Sequence, residues 1–367
     1  MKIRFFGTYD EARHPRIASL REGMELQGFA VDTLNDPLKD TTADRVTAAG
    51  NAGEALRWFV RLLRHWRALR RVARTSGILP DVVIVGYLGV LDVHLAKRLF
   101  TGTTIVLDHL APLAEIGRDR GLGRVQRCVM NLLDQVAVGA ADLVIVDTEE
   151  HAAELRERFR MKVIVVPVAA PTSWFSSSMF RGADRLKVIF FGQYTPLQGT
   201  LIIGQAIGRL AGAPIDFTMV GRGQDYEACR HAAGRNGHVR WIDWVEPRFL
   251  PDLVASHDVC LGVFGTGPKT QAVVPNKIVQ GAAAGCAVVT GDSPPVRRQF
   301  GDAAVLIPVG DSSALEQSLR DLVDDRAKVL EYQHRARALA DGALHPLTVV
   351  MPLAMRLRRM GVQRSSP

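Results

Sequence analysis

Short apolar runs alternate with longer amphipathic runs along the whole chain. Several of the short runs are apolar on both faces, as the covered strands of a parallel sheet are. In the first half the predicted strands are Ile3–Phe6, Ala30–Leu34, Val82–Val85, Thr104–Leu107, Leu143–Val146 and Val163–Val166. In the second half they are Val188–Phe191, Ile215–Val220, Val239–Ile242, Val259–Val263, Ala287–Thr290 and Ala304–Ile307. The intervening runs predict helices, so each half has the pattern of a doubly wound α/β sheet.

The two halves also begin alike. Residues 3–9 (IRFFGTY) and 188–194 (VIFFGQY) each carry an apolar strand into a glycine, which lets the backbone approach a ligand at the strand end. This predicts two Rossmann-like domains facing each other, separated in the Pro/Ser-rich stretch 169–178. The expected domains are 1–172 and 173–345. Residues 346–367 are expected to form a terminal helix, from Pro346 to about Met360, and a polar tail.

Composition narrows the class of protein only in part. The chain has 367 residues, a net charge of +8 and a pI of about 9.6. A basic balance suits phosphate-bearing substrates, nucleic acid or an anionic membrane, but zinc-ligand spacing and an RNP-like strand are both missing, which argues against nucleic acid. The four cysteines are scattered, as in a reduced cytosolic protein. The N-terminal residues predict a strand rather than a signal peptide, and no run approaches the roughly 18 apolar residues of a membrane span.

The glycine turns exclude one cofactor class. Neither Gly7 nor Gly192 continues as G-x-G-x-x-G, so a nicotinamide dinucleotide site is disfavoured. Gly221-Arg222-Gly223 follows a strand, with Gln224 expected to open a helix. It is interpretable as a phosphate turn or as a plain strand-to-helix turn.

The most informative segment runs from Gly262 to Val289. A strand ends there in a Gly-rich loop holding Lys269, and a helix opens near Pro275, a residue suited to a first helical position. Lysines beside a helix N-terminus form an anion site. Lys277 and Gln280 are neighbours on one helix face, so a lysine can neutralise a diphosphate while Gln280 bonds ribose hydroxyls. A solvated helix start is the alternative.

Residues 264–294 resemble the donor-site segment of bacterial family 4 glycosyltransferases. Residues 191–199 (FGQYTPLQG) resemble their glycine loop, residues 306–311 their closing strand, and residues 141–149 the strand before their interdomain connection. The resemblance implies a GT-B fold with the nucleotide-sugar mainly on the second domain, the acceptor mainly on the first, retention at the anomeric carbon, and no metal or other cofactor. The terminal helix is then expected to cross back onto the first domain.

The resemblance also assigns residues. The implied donor-binding residues are Gly192, Gln193, Arg222, Lys269, Asn276, Lys277 and Gln280. The implied acceptor-side loop is Gly7, Thr8 and Tyr9. Many members carry an arginine and a lysine in the glycine loop, where this chain has Gln193 and Gln198, and two glutamates where it has Ala272 and Gln280. Lys269, Lys277 and Arg222 are then expected to supply the positive charge.

Candidate catalytic residues follow the strand Thr104–Leu107. Many family members place a histidine or an acid at this strand end, against the transferred sugar, and Asp108 and His109 compete for that role, with His109 preferred. Asp119 is a further candidate. The alternatives are a loop histidine satisfied by backbone and, for Asp119, a surface ion pair with Arg118 or Arg120.

A basic amphipathic helix is predicted from Glu54 to Arg74. Tryptophan, phenylalanine and leucine recur on one side, and arginines fill much of the other. Such a helix suits an anionic membrane interface, and equally a core-packed helix with a solvated arginine face.

The sequence therefore predicts a metal-independent glycosyltransferase of the hexosyltransferase type, acting in polysaccharide or glycolipid assembly. Its expected partners are a nucleotide-sugar donor, a saccharide or lipid-linked acceptor and an anionic membrane surface, with no nucleic acid. A cytoplasmic location, peripheral at the inner membrane face, is expected. The alternatives are a GT-B epimerase or phosphorylase and a non-catalytic glycosyltransferase-like subunit.

Overall fold

The chain divides into two compact units. The computed structural model describes residues 1–11, 14–38, 52–75, 77, 79–110, 112–119, 121–175 and 184–365. The first unit comprises Met1–Pro167 together with Val349–Pro367, and the second comprises Val168–Thr348.

The first unit is built on a six-stranded parallel sheet. Its strands are β1 (Lys2–Gly7), β2 (Ala30–Asn35), β3 (Val82–Val85), β4 (Thr104–Asp108), β5 (Leu143–Val146) and β6 (Val163–Val165). They lie in the order β2-β1-β3-β4-β5-β6. All the strands predicted for this half are present within two residues of the expected bounds. The observed order reverses beside β1, so the carboxyl ends of β1 and β3 to β5 form the edge where an α/β sheet binds ligands.

Helices cover both faces of this sheet. They are α1 (Pro15–Leu26), α2 (Ala52–Thr75), α3 (Asp92–Leu99), α4 (Leu113–Asp119), α5 (Arg124–Ala140) and α6 (Glu149–Glu154). One core cluster joins alternate residues of the sheet, such as Val83 and Val144, to Leu69 of α2, Val93 of α3 and Ala137 of α5. These three helices therefore share one face of the sheet.

The second unit repeats the plan with another six-stranded parallel sheet. Its strands are β7 (Leu186–Phe191), β8 (Ile215–Val220), β9 (Val239–Ile242), β10 (Val259–Leu261), β11 (Ala287–Gly291) and β12 (Ala304–Ile307), in the order β12-β11-β10-β7-β8-β9. The strand β10 ends two residues before the predicted Val263, whose N–H donates to the Thr290 hydroxyl at 3.2 Å. The predicted class, two Rossmann-like α/β units, is confirmed.

The helices of the second unit correct two predicted starts. They are α7 (Thr200–Arg209), α8 (Tyr226–Ala233), α9 (Leu250–Ala255), α10 (Asn276–Ala283), α11 (Pro294–Phe300), α12 (Ser312–Asp324) and α13 (Arg326–Asp341). The helix expected to open at Gln224 begins at Tyr226. Pro275 is the N-cap of α10, with extended backbone, rather than its first helical residue.

The C-terminal segment is helical, as predicted, but broken at Val350. It forms α14 (Pro346–Val349) and α15 (Met351–Ser365). Arg358 of α15 donates to the Gln27 carbonyl at 2.7 Å, just after α1 in the first unit. Of the Pro/Ser-rich stretch 169–178, residues 176–178 lie outside the described residues. Within the described part of the chain, no helix is long and apolar enough to cross a bilayer.

Candidate functional sites

In the second unit, the loops after β7 and β8 meet backbone to backbone. Gly192 follows β7 with a φ of +145°, and a Cβ at that position would lie 3.0 Å from Lys277 Nζ. A Cβ on Gly221, after β8, would overlap the carbonyl oxygen of Gly192. Both positions therefore require glycine, one for its backbone angle and one for close approach. Gly192 and Gly221 thus form a close backbone contact, called the glycine floor below. It lies at the carboxyl edge of the sheet, where doubly wound folds bind nucleotides.

The Lys277 amine lies under this floor. Its side chain is buried, its Nζ donates to Gln198 Oε1, and the same atom lies 3.7 Å from the centroid of the Phe190 ring. Burial lowers the pKa of the Lys277 amine to about 7. Near neutral pH the amine is therefore present in both its charged and its neutral form.

The remaining predicted donor residues differ in burial and in hydrogen bonding. Asn276 opens α10, and its buried Oδ1 has no hydrogen-bond partner among the described residues. Gln280 is buried one turn further on, and Lys269 is half-buried in the 3-10 turn Pro268–Gln271. Gln193 is exposed beside Gly192. The structure therefore brings Gly192 and Lys277 together and leaves an unsatisfied acceptor at the start of the same helix.

Arg222 is engaged elsewhere. Its Nε lies 2.9 Å from Asp243 Oδ1, and its guanidinium sits 4.0 Å from the centroid of the Tyr226 ring. Only its backbone joins the glycine floor, where its carbonyl accepts from the Tyr194 N–H at 3.1 Å.

In the first unit, Asp108 forms a buried ion pair. Arg16 of α1 donates through Nε to Asp108 Oδ1 at 2.8 Å, and its Nη1 donates to the Val166 carbonyl at 3.0 Å. Burial raises the pKa of the Asp108 carboxyl, and the adjoining Arg16 guanidinium opposes that shift. This pair fastens α1 to the ends of β4 and β6. Of the two candidates at the end of β4, Asp108 is thus held by Arg16.

His109, the preferred candidate, lies beside Asp134 of α5. Its Nε2 is 3.5 Å from Asp134 Oδ1, too far for a hydrogen bond, and both side chains are buried. Its backbone N–H donates to the Ile145 carbonyl at 2.8 Å. Asp119 is the last residue of α4, and its side chain lies outside the described residues, as does Arg120.

The first unit also contains a buried His–Asp pair that was not among the predicted site residues. Asp147, just after β5, lies 2.5 Å from His151 Nδ1, and Glu115 Oε2 is 3.6 Å from His151 Nε2. The two carboxylates outweigh burial and raise the pKa of His151 to about 10. Burial and the nearby Glu115 carboxylate raise the pKa of Glu154 to about 7. The i, i+4 spacing of Asp147 and His151 at a helix start was the available sequence signal.

The predicted acceptor-side loop is held by Asp92. Its Oδ2 accepts from the Thr8 N–H and the Thr8 hydroxyl, each at 2.8 Å, while its Oδ1 accepts from Trp66 Nε1 at 2.7 Å. Gly7 has a φ of +149°. Tyr9 is buried, and burial raises the pKa of its phenol. Asp92 thereby fixes the turn after β1 against α2 and α3.

The helix α2 divides between core and surface. Leu62 and Leu69 are buried and Trp66 is half-buried on Asp92, as a core-packed helix requires. Phe59 remains 42% exposed, together with apolar neighbours and the arginines of the outer face. The predicted stripe is therefore partly core and partly surface.

Comparison with known proteins identifies the class to which this architecture is similar. Residues 185–325 match the family model for glycosyl transferases group 1. The phosphatidyl-myo-inositol mannosyltransferase of Mycolicibacterium smegmatis is 29% identical over 154 residues, which are 41% of this chain and 39% of that relative. The aligned part therefore spans well under half of the curated relative.

Solved glycosyltransferase structures match over nearly the whole chain. Sucrose-phosphate synthase from Thermosynechococcus elongatus aligns with a TM-score of 0.72 and 12% identity, covering 99% of this chain and all of its own. Anabaena HepE in complex with UDP and glucose gives 0.66 and 15%, covering 98% and 100%. Trehalose 6-phosphate synthase from Burkholderia multivorans gives 0.67 and 12%, covering 99% and 97%. The predicted resemblance to glycosyltransferases and the predicted GT-B fold class are confirmed.

Proposed function

We propose that this protein is a glycosyltransferase of the hexosyltransferase type that moves a sugar from a nucleotide-sugar donor to an acceptor in polysaccharide or glycolipid assembly. The observation that carries the proposal is the buried Lys277 amine beneath the glycine floor, next to an α10 N-terminus with an unsatisfied Asn276 oxygen. The region matching the glycosyl transferases group 1 model, residues 185–325, contains every predicted donor residue.

The chemistry of the leaving group fits Lys277. As the bond to the anomeric carbon breaks, negative charge builds on the departing diphosphate, and preorganised cations and helix N-termini stabilise it. A protonated Lys277 and the N-terminus of α10 would supply both. We infer transfer with retention, in which a departing phosphate oxygen accepts the proton of the acceptor hydroxyl, so that neither a metal nor a strong base is needed. In the described residues, no group of three or more His, Cys, Asp or Glu side chains has a metal-binding arrangement.

A uridine nucleotide is the first donor to test. The solved structures of Anabaena HepE hold UDP, UDP with glucose, and UDP-glucose. For this chain we propose a UDP-sugar bound around Gly192, Asn276 and Lys277, with Gln280 bonding the ribose.

A membrane-associated acceptor would suit α2. Leu56, Phe59 and Val60 are exposed on this helix, and arginines flank them. Each basic residue near an anionic leaflet contributes about 1 kcal/mol of attraction. We propose peripheral attachment at the cytoplasmic face of a membrane, where a lipid-linked acceptor is confined to the same surface.

The test is donor binding and turnover. UDP, GDP and a panel of their sugars are titrated by calorimetry, and the tightest donor is then incubated with glucose, dioctanoyl phosphatidylinositol or membrane lipid extract. Transfer is followed by mass spectrometry, and the anomeric configuration of the product by NMR. We expect one nucleoside diphosphate to bind and its sugar to appear on an acceptor with retained configuration. Absence of nucleotide binding across the panel would refute the proposal, whereas donor isomerisation without transfer would support the epimerase alternative.

A further inference from the structure

The outer face of α5 in the first unit is apolar, although it is exposed to solvent. Exposed apolar side chains recur along it four, three and four residues apart, and these four residues are called the α5 seam: Val125, Val129, Leu132 and Val136. The helix buries its opposite side in the first unit, including Met130 and Ala137. The 17-residue helix α5 is therefore apolar both toward the core and toward solvent.

The spacing of the α5 seam is the spacing that pairs helices. Apolar residues that alternate at four and three positions occupy the a and d sites of a heptad, through which two helices pack side chains into each other's holes. Val125 and Leu132 take d sites, and Val129 and Val136 take a sites. Single exposed apolar residues are common on monomers, whereas a contiguous apolar row indicates an interaction surface.

The residues beside the α5 seam favour a protein rather than a lipid surface. A helix that lies on an anionic membrane carries lysine or arginine beside its apolar face, as α2 does. The positions that flank the α5 seam are instead uncharged: Gln126, Cys128, Leu133 and Gln135. The arginines of α5, Arg124 and Arg127, line a cavity on another side of the helix. An uncharged flank allows two such helices to approach without like-charge repulsion.

The α5 seam is also complementary to itself. A twofold axis between Met130 and Asn131 places Val125 opposite Val136 of a second copy, and Val129 opposite Leu132 of that copy. Each apolar residue then meets an apolar residue, as the isologous contact of a symmetric dimer requires. We propose that α5 pairs with α5 of a second copy of this chain, in antiparallel orientation, through the α5 seam. This dimer goes beyond the proposed function and does not depend on it.

Sedimentation velocity of the full chain measures the dimer. Two helices about 25 Å long bury less than the roughly 1,600 Å² of a standard interface, so we expect a dissociation constant on the order of micromolar. The mass should therefore rise from 40.2 kDa toward twice that value as the concentration passes through this range. A chain that stays monomeric at about a hundred times this concentration would overturn the proposal.

Complementary charges test the antiparallel register. Val129→Lys and Leu132→Glu should each raise the dissociation constant roughly hundredfold or more, because each homodimer would contain two unpaired charges in its contact. Mixed in equal amounts, the two variants should form a heterodimer, since the introduced lysine then faces the introduced glutamate. A parallel pair would not be rescued, because it places each position opposite itself. Both side chains are exposed in the single chain, so the melting temperatures of the monomers should stay close to the wild-type value. A mixture that remains monomeric would contradict the antiparallel pairing.

Cys128 provides a second measurement of the same contact. It is exposed, whereas the other three cysteines are buried. In the antiparallel dimer the two Cys128 residues are offset by about 7.5 Å along the helices, whose axes lie about 8–10 Å apart, so they are about 12 Å from each other. A bismaleimide of about this length should link two chains, and Cys128→Ser or Leu132→Glu should abolish the link. Cross-linking that persists in Leu132→Glu would count against the α5 seam.

A matched variant on another helix is the control. Leu56 of α2 is 65% exposed and Leu132 is 61% exposed, so Leu56→Glu makes the same change at a similar site and should leave the dimer intact. Loss of the dimer in Leu56→Glu, or a monomeric chain whose co-sedimentation with anionic vesicles weakens in Leu132→Glu, would refute the proposal. UDP affinity should be the same in all these variants. A monomer that binds UDP refutes only the dimer, and a dimer that binds no nucleotide refutes only the proposed function.

Discussion

Replacing Lys277 by methionine keeps a long apolar stem in a buried position but removes the amine that faces Gln198 and Gly192. If this amine binds the donor diphosphate, the variant loses one charge-assisted hydrogen bond, which contributes about 1.5–3 kcal/mol. Nucleotide affinity should therefore fall roughly ten- to hundredfold. The variant should not be destabilised near neutral pH, because methionine leaves no charge in a site whose burial penalises charge.

The same amine predicts a pH dependence of nucleotide affinity. In the free protein the pKa of Lys277 is about 7, and a bound diphosphate raises it, since an adjacent negative charge favours the ammonium form. Binding then takes up a proton at any pH between the two pKa values. Affinity should be nearly constant between about pH 6, where the diphosphate itself begins to take up a proton, and pH 7. Above pH 7 it should fall about tenfold per pH unit until the pKa of the complex is reached.

Calorimetry in buffers of different ionisation enthalpy measures this proton directly. At pH 8 a group with a pKa of about 7 is roughly nine-tenths deprotonated, so the wild type should take up about 0.9 proton per nucleotide. The diphosphate contributes little because its own last pKa lies near 6. Lys277→Met should show almost no uptake. Lys187→Met, an exposed lysine near the opposite end of β7, is the control and should match the wild type. Zero uptake in the wild type, or equal uptake in Lys277→Met, would refute this role for the amine.

Three further predictions concern the rest of the molecule. Arg16→Met should lower the free energy of unfolding by about 3–5 kcal/mol, because it strands the buried Asp108 charge. In urea unfolding, the double variant Arg16→Met/Asp108→Leu should lose less free energy of unfolding than Arg16→Met alone. An equal or larger loss would contradict the explanation by a stranded buried charge. Sugar transfer should survive EDTA, and activity that is lost and then restored by Mg²⁺ or Mn²⁺ would refute metal independence. Replacing three α2 arginines by glutamine should weaken binding to anionic vesicles at low salt; the arginines are Arg57, Arg61 and Arg64. Unchanged co-sedimentation would mean that α2 has only a structural role.

The central strands could be predicted because each is an apolar run that a parallel sheet buries on both faces. Val82–Val85 and Leu143–Val146 were predicted to the residue for this reason. Strand and helix ends that depend on tertiary contacts were harder to predict from the sequence. Beyond the end of β10, the Val263 N–H donates to the hydroxyl of Thr290, a residue 27 positions away. The start of α10 depends on Pro275 adopting an extended cap, and sequence alone does not separate that from a first helical turn.

The candidate sites were less predictable, because burial and partner choice decide what a charged side chain does. Arg222 and Lys277 were both expected near the diphosphate, yet Arg222 pairs with Asp243 while Lys277 lies buried against Phe190. Nothing in the local sequence distinguishes His109 from Asp108 as the catalytic candidate. In the structure, Asp108 is the one that pairs with Arg16. Arg16 is 92 residues from Asp108, so no local pattern predicts that contact.

The departures of the glycine loop from the related enzymes acquire a physical interpretation in this arrangement. Gln198 occupies a place where many of those enzymes carry a cation, and here its side-chain oxygen accepts from the Lys277 amine. A cation at residue 198 would oppose the ammonium form of a buried Lys277, whereas a neutral acceptor tolerates it. Under the proposed function, the positive charge would come from α10 rather than from the loop, and fully so only once a diphosphate raises the pKa of Lys277 from about 7. An amine of this kind discriminates between the empty and the donor-bound site through its own protonation, which a permanently charged arginine in the loop cannot do.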